Sequence, residues 1–283
     1  MSGAGAAPTD SRLEATAGPL LNRSRRAAIL CYHSVSPDGP PFLSITPELF
    51  RAQLETLTRR GYEGGGHADL AALAEGARPR RRLAFLTFDD GYLDNFTRAF
   101  PLLQEYRFRA IVFILPATVD GGGALDWPEV DDQRRAYPDV MRSLDWGMVE
   151  GMAEGGVEFG AHTVTHPHLP ELGDDELMHE LLEPRERIVE RLGRCDSVAF
   201  PFGDWDQRVA AAAAAAGYRF AFTMPRGAQG EASRMSIPRV AVDHRDRGWR
   251  FALKLTAPGR RLLLSPAKER LRRLRRLDPR AAR

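Results

Sequence analysis

Apolar residues along the chain gather into seven short runs bounded by turn residues: 28–33, 83–88, 110–115, 157–161, 197–200, 220–223 and 237–242. The runs are rich in Ile, Val, Phe and Leu and do not alternate with polar positions, the pattern of parallel strands buried on both faces. Amphipathic stretches with helix punctuation lie between them. Thr46, Pro47 and Glu48 read as an N-cap, a proline at the first helical position and an acidic first turn. Leu49, Phe50, Gln53, Leu54 and Leu57 then share one face, and Gly61 stops the helix. Residues 94–106 repeat the pattern, with Pro101 marking a kink or a late start. Residues 173–193 are acidic first and Arg-rich last, as the helix dipole favours, with a bend expected at Pro184. Seven consecutive alanines, 210–216, predict a further helix that Gly217 ends.

Strands alternating with helices predict a parallel α/β architecture, and seven units in about 220 residues suit one closed or nearly closed barrel better than two domains. The organisation read from the sequence is an N-terminal segment, 1–27, a barrel, 28–255, and a C-terminal tail, 256–283. Residues 116–145, which include Gly121-Gly122-Gly123, form the longest irregular stretch and are expected to lie over one barrel face.

With 283 residues, 43% hydrophobic and 28% charged, the chain can bury a substantial core, which excludes a disordered or fibrous protein. A net charge of +2 argues against a uniformly basic nucleic-acid binder. The two cysteines, Cys31 and Cys195, exclude a disulfide-stapled scaffold and leave the redox compartment open. No apolar run is long enough to span a membrane, and Pro19-Leu20-Leu21 falls short of a signal-peptide core, so the expectation is a soluble, cytoplasmic protein. Charge is unevenly spread: residues 260–283 carry ten basic and two acidic groups, or +8, and the total of +2 leaves −6 for the rest. Leu271, Leu274 and Leu277 recur among the arginines, so the tail reads either as a solvated terminus or as a basic amphipathic helix touching an anionic membrane surface.

Four clusters stand at predicted strand ends, where parallel α/β folds assemble their sites. Leu86-Thr87-Phe88-Asp89-Asp90-Gly91-Tyr92 places two adjacent carboxylates that repel each other unless a cation or proton neutralises one; the plain alternative is a surface turn. His162-Thr163-Val164-Thr165-His166 offers two imidazoles four apart, which on one helical turn can reach one metal ion, and an added carboxylate completes a set suited to Zn, Fe, Co or Ni. His168 and His179 read as surface histidines. Phe200-Pro201-Phe202-Gly203-Asp204-Trp205 reads as a turn capped by packing, or as a substrate wall whose backbone N–H groups face a developing oxyanion. Cys31-Tyr32-His33-Ser34 ends the first strand, and its lone histidine is by itself more often a core residue than a catalyst.

Taken in order, Thr87-Phe88-Asp89-Asp90-Gly91-Tyr92, His162-x-x-x-His166 and Phe200-Pro201-Phe202-Gly203 resemble the polysaccharide deacetylase family, the NodB-homology or family 4 carbohydrate esterase group, over about residues 28–245. The resemblance implies a distorted (β/α)7-type barrel that removes acetyl groups from N-acetylated sugars. It implies Asp89 as general base, Asp90, His162 and His166 as ligands of one divalent metal, and the Phe202 backbone N–H as oxyanion donor. Pro201, Gly203 and Trp205 fall beside Phe202 as substrate-binding candidates. Zinc is the first choice of metal, with cobalt, nickel or manganese as alternatives. Two departures stand out: Ala199 occupies the place of an arginine that orients the base in many members, and Val240-Ala241-Val242-Asp243-His244 matches the late Leu-x-His only loosely. Both departures resemble the exopolysaccharide poly-N-acetylglucosamine deacetylase branch, as do Ser44 to Phe50, Gly61-Tyr62 and Ile237-Pro238-Arg239-Val240. In that branch the N-terminal histidine supplies the acid, which makes His33 the first choice for that role and His244 the second.

The expected substrate is an acetylated glycan, either a polysaccharide or a lipid-linked precursor. Two other readings compete. A catalytically silent glycan-binding barrel has no need of a metal with open coordination positions, and a phosphate-handling enzyme using Asp89 and Asp90 lacks a phosphate-cradling Gly-rich loop.

Overall fold

The computed structural model describes residues 26–224 and 233–264. Eleven strands are present among them: β1 (Ala27–Tyr32), β2 (Ser34–Val35), β3 (Ser44–Ile45), β4 (Tyr62–Gly64), β5 (Arg82–Phe88), β6 (Ala110–Ile114), β7 (Glu158–Ala161), β8 (Ser197–Ala199), β9 (Phe220–Thr223), β10 (Ile237–Pro238) and β11 (Val240–Ala241). The helices are α1 (Pro47–Arg59), α2 (His67–Ala74), α3 (Phe100–Tyr106), α4 (Pro116–Val119), α5 (Asp131–Ala136), α6 (Trp146–Glu154), α7 (Asp174–Leu192), α8 (Gln207–Ala215), α9 (Trp249–Lys254) and α10 (Ala257–Leu263).

The main sheet runs β10-β9-β8-β7-β6-β5-β1-β11, every pairing parallel, and β4 pairs with the first half of β5. The two ends of that path are consecutive in sequence. β10 pairs with β9 and β11 with β1, separated only by Arg239, so one five-residue segment draws the sheet's edges together into a nearly closed barrel. The stretch 237–242, read from the sequence as one strand, is thus two short ones split at a functional residue. β2, β3 and β4 are two or three residues long, too short for periodicity to reveal.

Both faces of the strands are buried, which explains the unbroken apolar runs. Along β1 and β5, Ala27, Ile29, Leu83 and Phe85 join Phe113, Phe222 and Ile237 in one cluster, while Ala28, Leu30, Tyr32, Ala84, Leu86 and Phe88 join the larger layer beneath the helices. Leu70 and Leu73 of α2 belong to the smaller cluster.

Thr46 caps α1, accepting the Leu49 N–H at 3.2 Å, and α1 buries the five residues expected of it. Pro101 has its effect upstream, where Asn95–Ala99 forms a π-turn before α3. α7 runs through Pro184 and ends at Gly193 in the left-handed conformation. The 116–145 stretch is partly ordered by α4, α5 and its own small core of Leu115, Leu125, Trp127, Val130 and Met141 against Tyr92.

Residues 257–264, assigned to the tail on charge, pack on the barrel: α10 is described to Leu263, and Arg260 is buried with its guanidinium on the Leu255 carbonyl at 2.6 Å. The rest of the tail lies outside the described residues. Among the described residues no helix is long and apolar enough to cross a membrane.

Candidate active site and metal centre

Four segments converge at the carboxyl ends of the strands. Asp89 and Asp90 follow β5 directly, His162 follows β7, His33 follows β1, and Pro201-Phe202-Gly203 form a 3₁₀ turn one residue beyond β8. The backbone there departs from regular geometry. Asp90, Thr163, His166 and Phe202 all have φ between 57° and 70°, a conformation that costs non-glycine residues energy and that functional sites concentrate.

Asp89 is buried and held by an arginine from across the barrel. Arg239 donates to both carboxylate oxygens, at 2.6 and 2.7 Å, and to Thr87 Oγ1 at 3.1 Å, while its guanidinium lies over the rings of Phe113 and Phe222 at 5.5 and 5.8 Å. Cys31 Sγ reaches the Asp89 Oδ2 atom at 3.4 Å. Burial alone would raise the Asp89 carboxyl pKa, but the Arg239 charge outweighs it, with help from His162, and holds the group well below the usual carboxylate range. Asp89 is therefore ionised at neutral pH.

Arg239 is the residue that the reading of Ala199 missed. The arginine expected two positions before Pro201 is replaced by one arriving from the β10–β11 junction, whose backbone place between β9 and β1 aims it into the interior. An arginine inside the apolar run Ile237-Pro238-Arg239-Val240 was the available signal.

Beside this pair, Asp90 Oδ1 lies 3.2 Å from His162 Nε2 and 3.5 Å from His166 Nε2, all three residues buried. His162 Nδ1 sits 2.8 Å from the Ala199 carbonyl, a contact that requires an N–H there and turns Nε2 toward the Asp90 carboxylate. Burial opposes charge on this ring, but the contact with Asp90 and the nearby Asp89 charge raise its pKa. Burial, then the charge of the nearby His162, lowers the His166 pKa to about 3, so the His166 ring is neutral. Asp90 Oδ1 receives no hydrogen bond of acceptable geometry. One carboxylate oxygen and two imidazole nitrogens within 4.8 Å of one another form a donor set that fits a divalent cation.

The His162–His166 spacing works differently from the helical turn expected. Residues 162–166 form a bend, with positive φ at Thr163 and His166. Glu180 of α7 holds it by accepting the Val164 and Thr165 N–H groups, at 2.7 and 3.0 Å, and the Thr165 hydroxyl at 2.6 Å. Trp127 stacks on His166 at 4.2 Å, and Phe202 meets the same ring edge-on at 4.6 Å. His168, read as a plain surface histidine, stacks on Phe202 at 4.1 Å and pairs with Asp204 at 2.9 Å.

The two candidates for the acid fall in different places. A ring nitrogen of the half-buried His33 lies within 4.8 Å of Cys31 Sγ and an Asp89 oxygen. The His33 backbone is fixed by Asn95, whose amide donates to its carbonyl at 2.8 Å, while buried Asp94 accepts the Ser34 hydroxyl and the Val35 N–H. His244 is exposed, with Nδ1 2.5 Å from the Pro41 carbonyl. Pro201 and Gly203 are buried in the turn beside Phe202. Trp205, assigned to the substrate wall, is 4% exposed and packs in the main core beneath it.

The family model for polysaccharide deacetylases matches residues 76–221. The chain is 24% identical over 202 residues to putative polysaccharide deacetylase YxkH of Bacillus subtilis, covering 71% of this chain and 65% of that protein. It is 23% identical over 248 residues to the poly-β-1,6-N-acetyl-D-glucosamine N-deacetylase of Escherichia coli, covering 75% of this chain but 36% of the relative. The chain thus spans less than two thirds of either relative's length. Its fold matches that of the Streptococcus pyogenes deacetylase PplD solved with acetate, with a TM-score of 0.68 and 22% identity, covering 81% of this chain and 97% of the other. A match over half of the chain, on a barrel of the same kind, makes this protein a member of the polysaccharide deacetylase family.

Proposed function

We propose that the chain is a metal-dependent hydrolase that removes acetyl groups from the N-acetylated sugars of a polysaccharide or its lipid-linked precursor. The observation that carries this reading is the juxtaposition of two adjacent aspartates in opposite roles. Asp89 is tied to Arg239, and Asp90 faces the Nε2 atoms of two buried histidines.

Asp90, His162 and His166 would hold the ion, zinc by ligand preference, with cobalt, nickel or manganese as alternatives. When bound, a divalent metal there polarises the acetyl carbonyl and acidifies the attacking water. Asp89, kept ionised and oriented by Arg239, accepts the proton of that water as it adds to the carbonyl carbon. The Phe202 backbone N–H stabilises the oxyanion, on a turn braced by Pro201 and Gly203. His33 donates the proton that lets the sugar amine leave, and His244 is the second choice for this step. In this reading the partner is an acetylated glycan, and the enzyme works in the cytoplasm at the inner membrane face.

Acetate release from chito-oligosaccharides, with and without chelator, is the direct test. Release should stop on chelation and return with zinc. Asp89→Asn should lose at least about 10²-fold in rate while retaining metal, whereas His162→Ala should lose both. Unchanged release from Asp89→Asn would overturn the base assignment. Metal binding with no acetate release from the wild type would favour the silent glycan-binding barrel.

A further inference from the structure

Among the described residues only four large apolar side chains are exposed, and three of them, Trp249, Leu253 and Leu262, fall within the short helices α9 and α10. Trp249 is 74% exposed. Trp249 and Leu253, four apart on α9, border a groove of about 520 Å³ whose other wall is Thr56, Arg59 and Arg60 at the end of α1. Large exposed apolar groups gathered in one place mark an interaction surface, whereas single ones need no explanation.

The charge around this groove selects the partner. Arg59, Arg60, Arg247 and Arg250 are exposed, and no carboxylate pairs with any of them among the described residues. The Arg250 guanidinium rests 5.9 Å over the Trp249 ring. Of the nearby carboxylates, Asp246 pairs with Lys254 and Asp243 with Arg245, which leaves Glu55, holding the Tyr106 hydroxyl, and Glu48, in the first turn of α1, against the larger number of arginines. From α10 the sequence continues through 265–283, with eight basic and two acidic residues. Tryptophan with leucine, arginine around them and a polybasic continuation is the composition that seats in the headgroup region of an anionic bilayer.

Position in the fold agrees. The Arg60 carbonyl accepts a hydrogen bond from Arg82, the first residue of β5, while Asp89 and Asp90 follow the last residue of that strand. The groove is therefore at the opposite end of the barrel from the active site, and a membrane seated there leaves the site's mouth open to the aqueous phase.

We infer that the face formed by α9, α10 and the end of α1 docks on an anionic phospholipid membrane, with Trp249 and Leu253 in the headgroup region and Arg59 and Arg60 on lipid phosphates. This goes beyond tail attraction because it assigns a folded surface, and it stands apart from the catalytic reading.

The test uses the full chain with vesicles of phosphatidylcholine alone or with 30% phosphatidylglycerol (about one lipid in three, enough to mimic an anionic leaflet). Wild type should partition at least tenfold more onto the anionic vesicles, and brominated lipid should quench its tryptophan fluorescence. Trp249→Ser with Leu253→Ser should lose about tenfold in partition and most of the quenching, with acetate release from a soluble substrate unchanged. Arg59→Gln with Arg60→Gln should weaken partition and flatten its salt dependence. A full-length variant with Arg272, Arg273, Arg275 and Arg276 changed to Gln should bind more weakly but retain the quenching. If that tail variant abolishes binding while the Trp249/Leu253 variant binds like wild type, the docking face is wrong. A dimer that Trp249→Ser breaks, with no vesicle binding by wild type, would instead assign the face to a second copy of the chain.

Discussion

At the scale of single residues, the Asp89–Arg239 pair combines two duties that substitution can separate. Both groups are buried, so removing the cation strands a carboxylate in a low-dielectric interior. Arg239→Ala should cost on the order of 3–5 kcal/mol of stability. Arg239→Lys keeps a charge but cannot bond both oxygens, so it should fold while losing at least about tenfold in kcat through a misaimed base. Thermal melts and steady-state kinetics of the two variants check this, and a Lys variant with wild-type kcat would show that orientation of Asp89 is irrelevant. The histidines separate in the same way. His33→Ala should lower the rate by about 10²-fold or more, while His244→Ala, at an exposed ring held by Pro41, should leave it within about twofold; acetate release measures both. Asp89, Asp90, His162 and His166 were legible because strand ends are where carboxylates and imidazoles gain chemistry. Arg239 was visible as a residue but not as a partner of Asp89, since that contact joins positions 150 apart and depends on how the sheet closes.

At the scale of elements, the site rests on segments that periodicity does not describe. The long strands and α1, α7 and α8 were legible because each buries a regular stripe or face. The 162–166 bend was not, because its shape comes from Glu180 on another element satisfying three donors. Glu180→Ala should therefore leave the barrel intact and weaken metal binding by about 10–100-fold, as loss of groups that orient ligands does; titration calorimetry with zinc measures it. The turn after β1 has a comparable support in Asp94. Burial raises its pKa to about 6, against the hydrogen bonds from Ser34 and Val35 that pull it down. An acid with a raised folded-state pKa binds its proton more tightly when folded, so its stabilising contribution is greatest below the unfolded value and fades as pH rises through about 6. The span corresponds to up to about 3 kcal/mol. Asp94→Asn, which does not titrate, should flatten that part of the stability curve between pH 4 and 7 (roughly the interval separating the two pKa values). Denaturant melts across this range compare it with wild type, and parallel curves for the two proteins would refute the assignment.

At the scale of the whole molecule, the ligand set joins separate parts of the barrel. Asp90 leaves β5, His162 and His166 leave β7, and β6 lies between the two strands, so one ion would tie β5 to β7 across the carboxyl end of β6. The unfolded chain holds these ligands about 70 residues apart, with no preformed site, so the ion favours the folded state by mass action. At 100 times its dissociation constant the stabilisation is about 2.7 kcal/mol. For a chain of this length that should raise the melting temperature by about 5 °C, taking roughly 2 °C per kcal/mol. Zinc should therefore raise the Tm of the wild type, and a chelator should return it to the metal-free value. His162→Ala should melt at one temperature under both conditions. Asp89→Asn should keep the zinc shift, since it removes the base and none of the three ligands, even though it weakens the pairing with Arg239. A zinc shift that survives in His162→Ala would place the ion elsewhere, and the Cys31, His33 and Asp89 cluster within 4.8 Å would be the first place to look.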